Sequence, residues 1–336
     1  MYEQCIGVVD ILAYLKLQWL GFRFHRLPIT RFLTLFPFRP VGFVTRYHSR
    51  AKCLSYWHRP HGSTVRLPVL FIHGIGIGLY PYADFLSNIN SLANDQANSK
   101  DDTVGILAIE IMPISFRITH SALSKDEICT ELRHILAEHN YDRFVLVSHS
   151  YGSVISSFIM SDPVLRPKVA SALLVDPVSF LLHTPDVAYN FTARQPRQAN
   201  EWQLWYFASK DPGVAHALGR HFFWSQNVIW KKDVEDFVNE GKRLTVSLGG
   251  KDLIVNTAAV GRYLANGSAD QEGRAMNENK DCISQCSTED AWKQRKWRGN
   301  GLDVLWFDHL DHGQAFDTNE MRAQLVRVVQ SYCESG

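Results

Sequence analysis

The stretch RFVLVSHSYGSVISSFIM, residues 143–160, constrains the fold of this chain more than any other. Its first half is a continuous apolar run and its second half reads as a helix. An apolar run without alternation is a strand buried on both faces, as in a parallel sheet covered by helices on each side. Between the two elements stands Ser148-His149-Ser150-Tyr151-Gly152, with no room for a loop. A turn this tight projects the middle hydroxyl from the sheet edge, and small residues two before and two after let strand and helix approach. The pattern is G-x-S-x-G with Ser148 in place of the first Gly.

The rest of the chain repeats the alternation. VRLPVLFIHG (65–74), TVGILAIEIM (103–112), VASALLVDP (169–177), RLTVSLGGKD (243–252) and LDVLWFDH (302–309) read as strands. Residues 124–140 read as a helix, with Ser124 and Glu127 as a capping box and Asn140 as a left-handed cap. The fold class expected is α/β: a mostly parallel central sheet, helices on both faces, and a cap inserted between strands 6 and 7. The cap covers about 177–242 and is rich in Trp and Phe, which are expected to supply a small core of its own. Polar residues 265–301 read as a mobile surface insertion. Residues 1–62 read as an apolar N-terminal arm, and 63–336 as the α/β domain.

Three further features carry chemistry. His73-Gly74-Ile75-Gly76 ends an early strand, where a glycine-rich turn aims a backbone amide at a developing oxyanion; the expected donors are the amides of Ile75 and Tyr151. Asp252 follows one late strand and His312 follows another. A serine hydroxyl is a poor nucleophile until a histidine takes its proton, and a carboxylate fixes that histidine's tautomer. Ser150, Asp252 and His312 stand in the chain order this architecture uses. Asp176, after the preceding strand, is the rival acid, and His309 is the rival base. Asp308 and Asp311 read as loop charges or local turn acceptors. His73 and His149 read as structural, and His216 and His221 as cap residues.

The segments FIHGIGIG, VLVSHSYGSV, SLGGKDLIV and DHLDHGQAF together resemble the α/β-hydrolase superfamily over about residues 65–330. DPVSFLLHTPDVAYNF and the segment from Ala199 to Trp224 are similar to a largely uncharacterised fungal branch with an N-terminal hydrophobic region. Ser148 is the one departure from the pattern. The resemblance implies Ser150 as nucleophile, His312 as base and Asp252 as acid, acting on an ester or thioester of an apolar substrate. Acyl transfer by the same three residues, as in tailoring steps of fungal secondary metabolism, is the alternative, and a non-catalytic binding protein on the same scaffold is a third reading. A carboxylate nucleophile is excluded, since Ser150 occupies its place.

The remaining features bound the setting. With 35 Lys plus Arg against 34 Asp plus Glu the net charge is +1, so nothing draws the whole chain to nucleic acid. No cofactor and no metal are expected: of six scattered cysteines only Cys282 and Cys286 are close, and no second pair or nearby His completes a zinc site. Reduced thiols and an intracellular setting, cytoplasmic or peripherally membrane-associated, follow. Residues 6–24 are interrupted by Asp10, Lys16 and Gln18, which disfavours a spanning helix, and no signal-peptide pattern precedes them. They read as an amphipathic helix, packed on the body or lying on a membrane surface.

Overall fold

The structure, a computed structural model, describes residues 2–36, 38–91, 102–265 and 291–334, with backbone only at 2–5, 32, 41 and 91. Nine strands run through the described residues: β1 Arg23–Arg26, β2 Tyr47–His48, β3 Ser55–Arg59, β4 Val69–Ile72, β5 Ile106–Glu110, β6 Phe144–His149, β7 Val169–Val175, β8 Arg243–Gly249 and β9 Leu302–Phe307. They form one sheet in the order β2-β1-β3-β5-β4-β6-β7-β8-β9. From β5 to β9 every pairing is parallel, and β3 lies antiparallel to both β1 and β5.

The principal helices are α1 Tyr2–Trp19, α2 Ala83–Ser91, α3 Lys125–Glu138, α4 Gly152–Ser161, α5 Pro212–His221, α6 Lys231–Asn239, α7 Thr257–Ala265 and α8 Asn319–Cys333. Alternation along the strands splits the core. Leu70 and Ile72 of β4 join a cluster with α3, α4, α6 and α7 on one face. Val69 and Phe71 join a cluster with α1, α2 and α8 on the other. Helices thus cover both faces, which is why the central strands read as unbroken apolar runs. The capping box forms, with Glu127 N 3.4 Å from Ser124 Oγ and Ser124 N 2.8 Å from Glu127 Oε2. Asn140 has φ 58°, as a left-handed helix end requires.

Residues 1–62 supply α1 and three strands of the same sheet. β1 and β3 escaped the sequence reading because Arg23, His25, His58 and Arg59 interleave with Phe24, Tyr56 and Trp57, leaving no apolar run. α1 buries Ile6, Asp10, Tyr14 and Leu17 and leaves Val8, Ile11, Leu12, Leu15 and Trp19 exposed. Its Asp10 makes a buried ion pair with Arg117 and lies 3.5 Å from Arg39 Nε. Arg39 forks onto Glu110 at 2.8 and 3.0 Å, and Ser55 and Trp57 also donate to that carboxylate. Burial pushes the Glu110 carboxyl up, but the Arg39 guanidinium and these hydrogen bonds outweigh it and hold it at about 2. A charged network therefore fastens α1 to the sheet. No described helix is long and apolar enough to cross a membrane.

The helical insertion 177–242 leaves the sheet after β7 and returns at β8. Those are the seventh and eighth described strands in chain order, since β1, β2 and β3 precede the six read from the sequence. The cap's aromatics divide: Phe180, Phe191 and Phe237 are buried in the core, while others face outward. Trp202, Tyr206, Phe207, Phe223, Trp224 and Trp230 are exposed. The physical reason is that the cap is a layer of short helices with one inward side, which leaves many rings on its outer face.

Of the polar insertion, residues 266–290 lie outside the described residues, Cys282 and Cys286 among them. Within 291–301, Trp292 and Trp297 pack on the body, while residues 294–296 are exposed. Trp292 is buried against α7, where a Cβ on Gly261 would lie 2.0 Å from its ring. Trp297 donates to Thr245 Oγ1 at 3.0 Å. Cys53, Cys129 and Cys333 are free thiols.

Candidate functional site

Ser150 sits between β6 and α4 with φ 51°, a left-handed conformation that a non-glycine residue adopts only when its surroundings impose it. Those surroundings are identifiable. The Ser150 amide donates to Val175 O at 2.9 Å. A Cβ on Gly152 would come within 2.5 Å of the Ile72 carbonyl oxygen, so glycine is what lets α4 pack against β4. Gly74 faces Ser150 from the next strand, where a Cβ would lie 2.8 Å from the serine Cβ. Ser148 fits in place of glycine because its hydroxyl accepts a hydrogen bond from Ser156 Oγ at 2.8 Å.

The hydroxyl of Ser150 lies 2.7 Å from His312 Nε2, and His312 Nδ1 lies 2.7 Å from Asp252 Oδ2. The loops after β8 and β9 thus meet the turn after β6. Asp252 is held by its other oxygen, which accepts the amides of Ile254 and Val255 at 2.7 and 2.8 Å. Burial disfavours charge on His312, but Asp252, supported by Asp176 and Asp311, outweighs that and raises its pKa to about 9.

The rival candidates lie elsewhere or are otherwise engaged. His309 is exposed in the turn after β9. Asp176 is buried, with φ 43°, and its two oxygens accept the amides of Gly249 and Gly313, each at 2.9 Å. Burial, with some repulsion from Asp252, raises its pKa to about 6 against the opposing pull of His312. One ligand atom each of Asp176, Asp252 and His312 lies within 4.8 Å of the others, but these same groups are taken up by the hydrogen bonds just given.

His73 accepts the Ile111 amide on Nε2 at 3.0 Å and so carries its proton on Nδ1, which donates to Gly74 O at 2.6 Å. His149 packs under the site, with Nδ1 2.8 Å from Tyr82 Oη. Burial keeps it neutral, with the neighbouring His312 adding to the effect. His216 and His221 lie on α5 in the cap.

Two further residues support the site, Asp311, a turn acceptor as its sequence position suggests, and Tyr82, which the sequence does not single out. Asp311 accepts the amides of Leu253 and His312 at 2.9 and 2.7 Å and the side chain of Asn200 at 3.0 Å, tying both loops to the cap. Tyr82 braces His149 from below. Tyr82 carries no local signal, and for Asp311 only the His312 contact is local, since Leu253 and Asn200 arrive on folding.

Above Ser150 opens a cavity of about 430 Å³. Ile75 and Tyr151 line its floor with Ser150, and Leu182, Phe191 and Phe222 of the cap line its roof. This is the size and apolar character of a small-molecule site.

No protein-family model matches the chain, and no curated protein matches it in sequence. Solved structures do match. The chain is similar to a membrane phospholipase A described as a bacterial virulence factor, at TM-score 0.53 and 11% identity over 98% of this chain and 92% of that one. It is similar to the carboxylesterase CesB (YbfK) from Bacillus subtilis, at TM-score 0.53 and 10% identity over 98% and 99%. Naproxen esterase (carboxylesterase NP) from Bacillus subtilis follows, at TM-score 0.51 and 10% identity over 96% and 97%. At such identities the likeness is one of fold. The sheet order, the covered faces and the helical insertion are those of the α/β-hydrolase fold.

Proposed function

We propose that this protein is a serine hydrolase that cleaves an ester or thioester of an apolar substrate, of the carboxylesterase or lipase type. The observation that carries the reading is the hydrogen-bonded chain Ser150–His312–Asp252, opening onto an apolar cavity. Ser150 Oγ attacks the carbonyl carbon while His312 Nε2 takes its proton, and the amides of Ile75 and Tyr151 hold the oxyanion. Collapse breaks the bond to the alcohol or thiol, which leaves with the proton from His312. Water, deprotonated by the same ring, then releases the acid and restores Ser150. The similar structures named as esterases and as a phospholipase agree with this reading.

A fluorophosphonate probe tests it. Labelling of the unaltered protein and none of Ser150→Ala is the expected result. No labelling of either would favour a binding protein on this scaffold. A series of p-nitrophenyl esters then separates long-chain from short-chain preference. Turnover that rises only when an alcohol or amine is added would assign acyl transfer, where the acceptor replaces water at the same acyl-enzyme.

The outer face of α1 favours a peripheral lipid contact as well. Val8, Ile11, Leu12, Leu15 and Trp19 recur at helical spacing on the exposed side, and the tryptophan suits a headgroup interface. Co-sedimentation with anionic vesicles, reduced by Leu15→Glu with Trp19→Glu, is the expected outcome; unchanged sedimentation would remove this reading.

A further inference from the structure

Three histidines from distant parts of the chain meet on the β1–β3 side of the sheet. His25 lies on β1 opposite Tyr56, and His58 stands two residues further along β3, so both project to one face. His139 follows α3 directly. One ring nitrogen from each lies within 4.8 Å of the other two. The His58 and His139 ring centroids are 3.8 Å apart, and those of His25 and His139 are 5.3 Å apart.

Stacking on Tyr56 at 4.5 Å and Tyr47 at 5.2 Å accounts for where the His25 ring lies, but not for its nitrogens. A buried histidine normally finds a hydrogen-bond partner for its ring nitrogens. His25 is 5% exposed, yet neither of its nitrogens makes a hydrogen bond. The His48 carbonyl favours its charged form slightly, without meeting hydrogen-bond geometry. His139 is arranged differently. Its Nε2 lies 3.0 Å from Tyr56 Oη, and that hydroxyl donates its one proton to Glu138 at 2.9 Å. Nε2 must therefore be the donor to Tyr56, which leaves the lone pair on Nδ1. Metal-binding histidines are oriented in this way, through the second N–H toward a carboxylate.

The protonation state agrees. Burial first, then repulsion within the group, lowers His25 to about 4 and His58 to about 3, and burial lowers His139 as well. Arg23 acts in the same direction on the first two, and Glu138 opposes it at His25 and His139. Glu138 lies one hydroxyl away from His139, through Tyr56 Oη.

We propose that His25, His58 and His139 bind a divalent transition-metal ion of the zinc class. Three imidazoles suit zinc, copper or nickel. His58 and His139 are half-buried, so the ion has a path from solvent. Zinc–nitrogen bonds of about 2.0–2.1 Å place tetrahedral ligands about 3.3 Å apart, so the rings close inward on binding. The ion joins β1 and β3 to the end of α3. The sequence carries no sign of the site, because the three residues share no local spacing. The proposal is independent of the hydrolase reading.

Full-length protein, stripped with a chelator and dialysed against zinc, tests it. The expected result is one zinc ion per chain, with an unfolding midpoint raised by a few degrees. Cobalt should give the absorption of a nitrogen-liganded tetrahedral ion. His58→Gln and the less buried His139→Gln should abolish stoichiometric binding. Tyr56→Phe keeps all three rings but removes the link to Glu138, and should weaken binding by about 10- to 100-fold. Asp252→Asn, near Ser150, should bind as the unaltered chain does. Absence of stoichiometric zinc in the unaltered protein overturns the proposal. So does zinc that persists in folded His58→Gln and His139→Gln.

Discussion

Asp176 accepts a hydrogen bond from the amide of Gly313, 2.9 Å away and next in sequence to His312. Its second oxygen holds Gly249, at the end of the strand that leads to Asp252. One carboxylate thus spans the two loops that carry His312 and Asp252. In Asp176→Asn the amide nitrogen must face one of these N–H groups, leaving a buried donor unpaired. The expected loss is about 1–3 kcal/mol of stability. A kcat reduced by up to about 10²-fold, through displacement of His312, is expected with it. Denaturant unfolding and ester turnover measured on the same preparation check both.

The pH profile should rise late. The base must be neutral to take the serine proton, and Asp252 holds the His312 pKa at about 9. Activity should therefore climb from pH 7 toward about pH 9 and fall away on acidification. Asp252→Asn removes the charge that raises the pKa, so its residual activity should have an acid limb at lower pH. Its kcat should drop by about 10⁴-fold, as for loss of the acid in comparable triads. A limb that stayed in place in this variant would mean that Asp252 does not control His312.

Gly74→Ala probes the fit around the turn. The added methyl would lie 2.8 Å from Ser150 Cβ and 2.9 Å from His149 Nδ1, in a place closed by backbone. The hydroxyl must shift, and a displacement of about 1 Å costs about 10²-fold in rate. The protein should stay folded by circular dichroism while fluorophosphonate labelling slows to that extent.

The charged network under α1 predicts an acid dependence of stability. Glu110 is held at about 2, below its unfolded value of about 4.3. A carboxyl with a depressed pKa contributes stability above the unfolded value and loses it as the pH falls through the folded one. That contribution is thus fully present above about pH 4.3 and is lost toward pH 2. Arg39→Ala leaves Glu110 and Asp10 buried without this partner, which should cost about 3–5 kcal/mol at pH 7. Urea unfolding at pH 7 and pH 3 checks both parts: the gap between the two proteins should narrow at the lower pH.

The legible parts of this molecule were those in which neighbours in sequence act together. The strand-turn-helix around Ser150 and the capping box at Ser124 are local, and the late loops reveal themselves by following apolar runs. β1 and β3 were illegible because a strand at the side of the sheet tolerates Arg and His between its buried rings. Asp311 could be read as a turn acceptor, but its partners Leu253 and Asn200 come from other loops. The cap shows the limit of composition: its aromatic content was visible, but which side those rings face depends on a layer only one helix thick. The histidine group is the extreme case, with three residues brought together solely by the pairing of β1 with β3 and the packing of α3.

Gly261 and Trp292 set a steric condition on the end of the sheet. Trp292 seats on α7 where Gly261 has no side chain, since a Cβ there would lie 2.0 Å from its ring. The same ring meets Trp306 of β9 edge-on, with centroids 5.2 Å apart, so one side chain bridges α7 and that strand. Any side chain at position 261 would displace that ring, and with it the bridge to the strand that leads to His312.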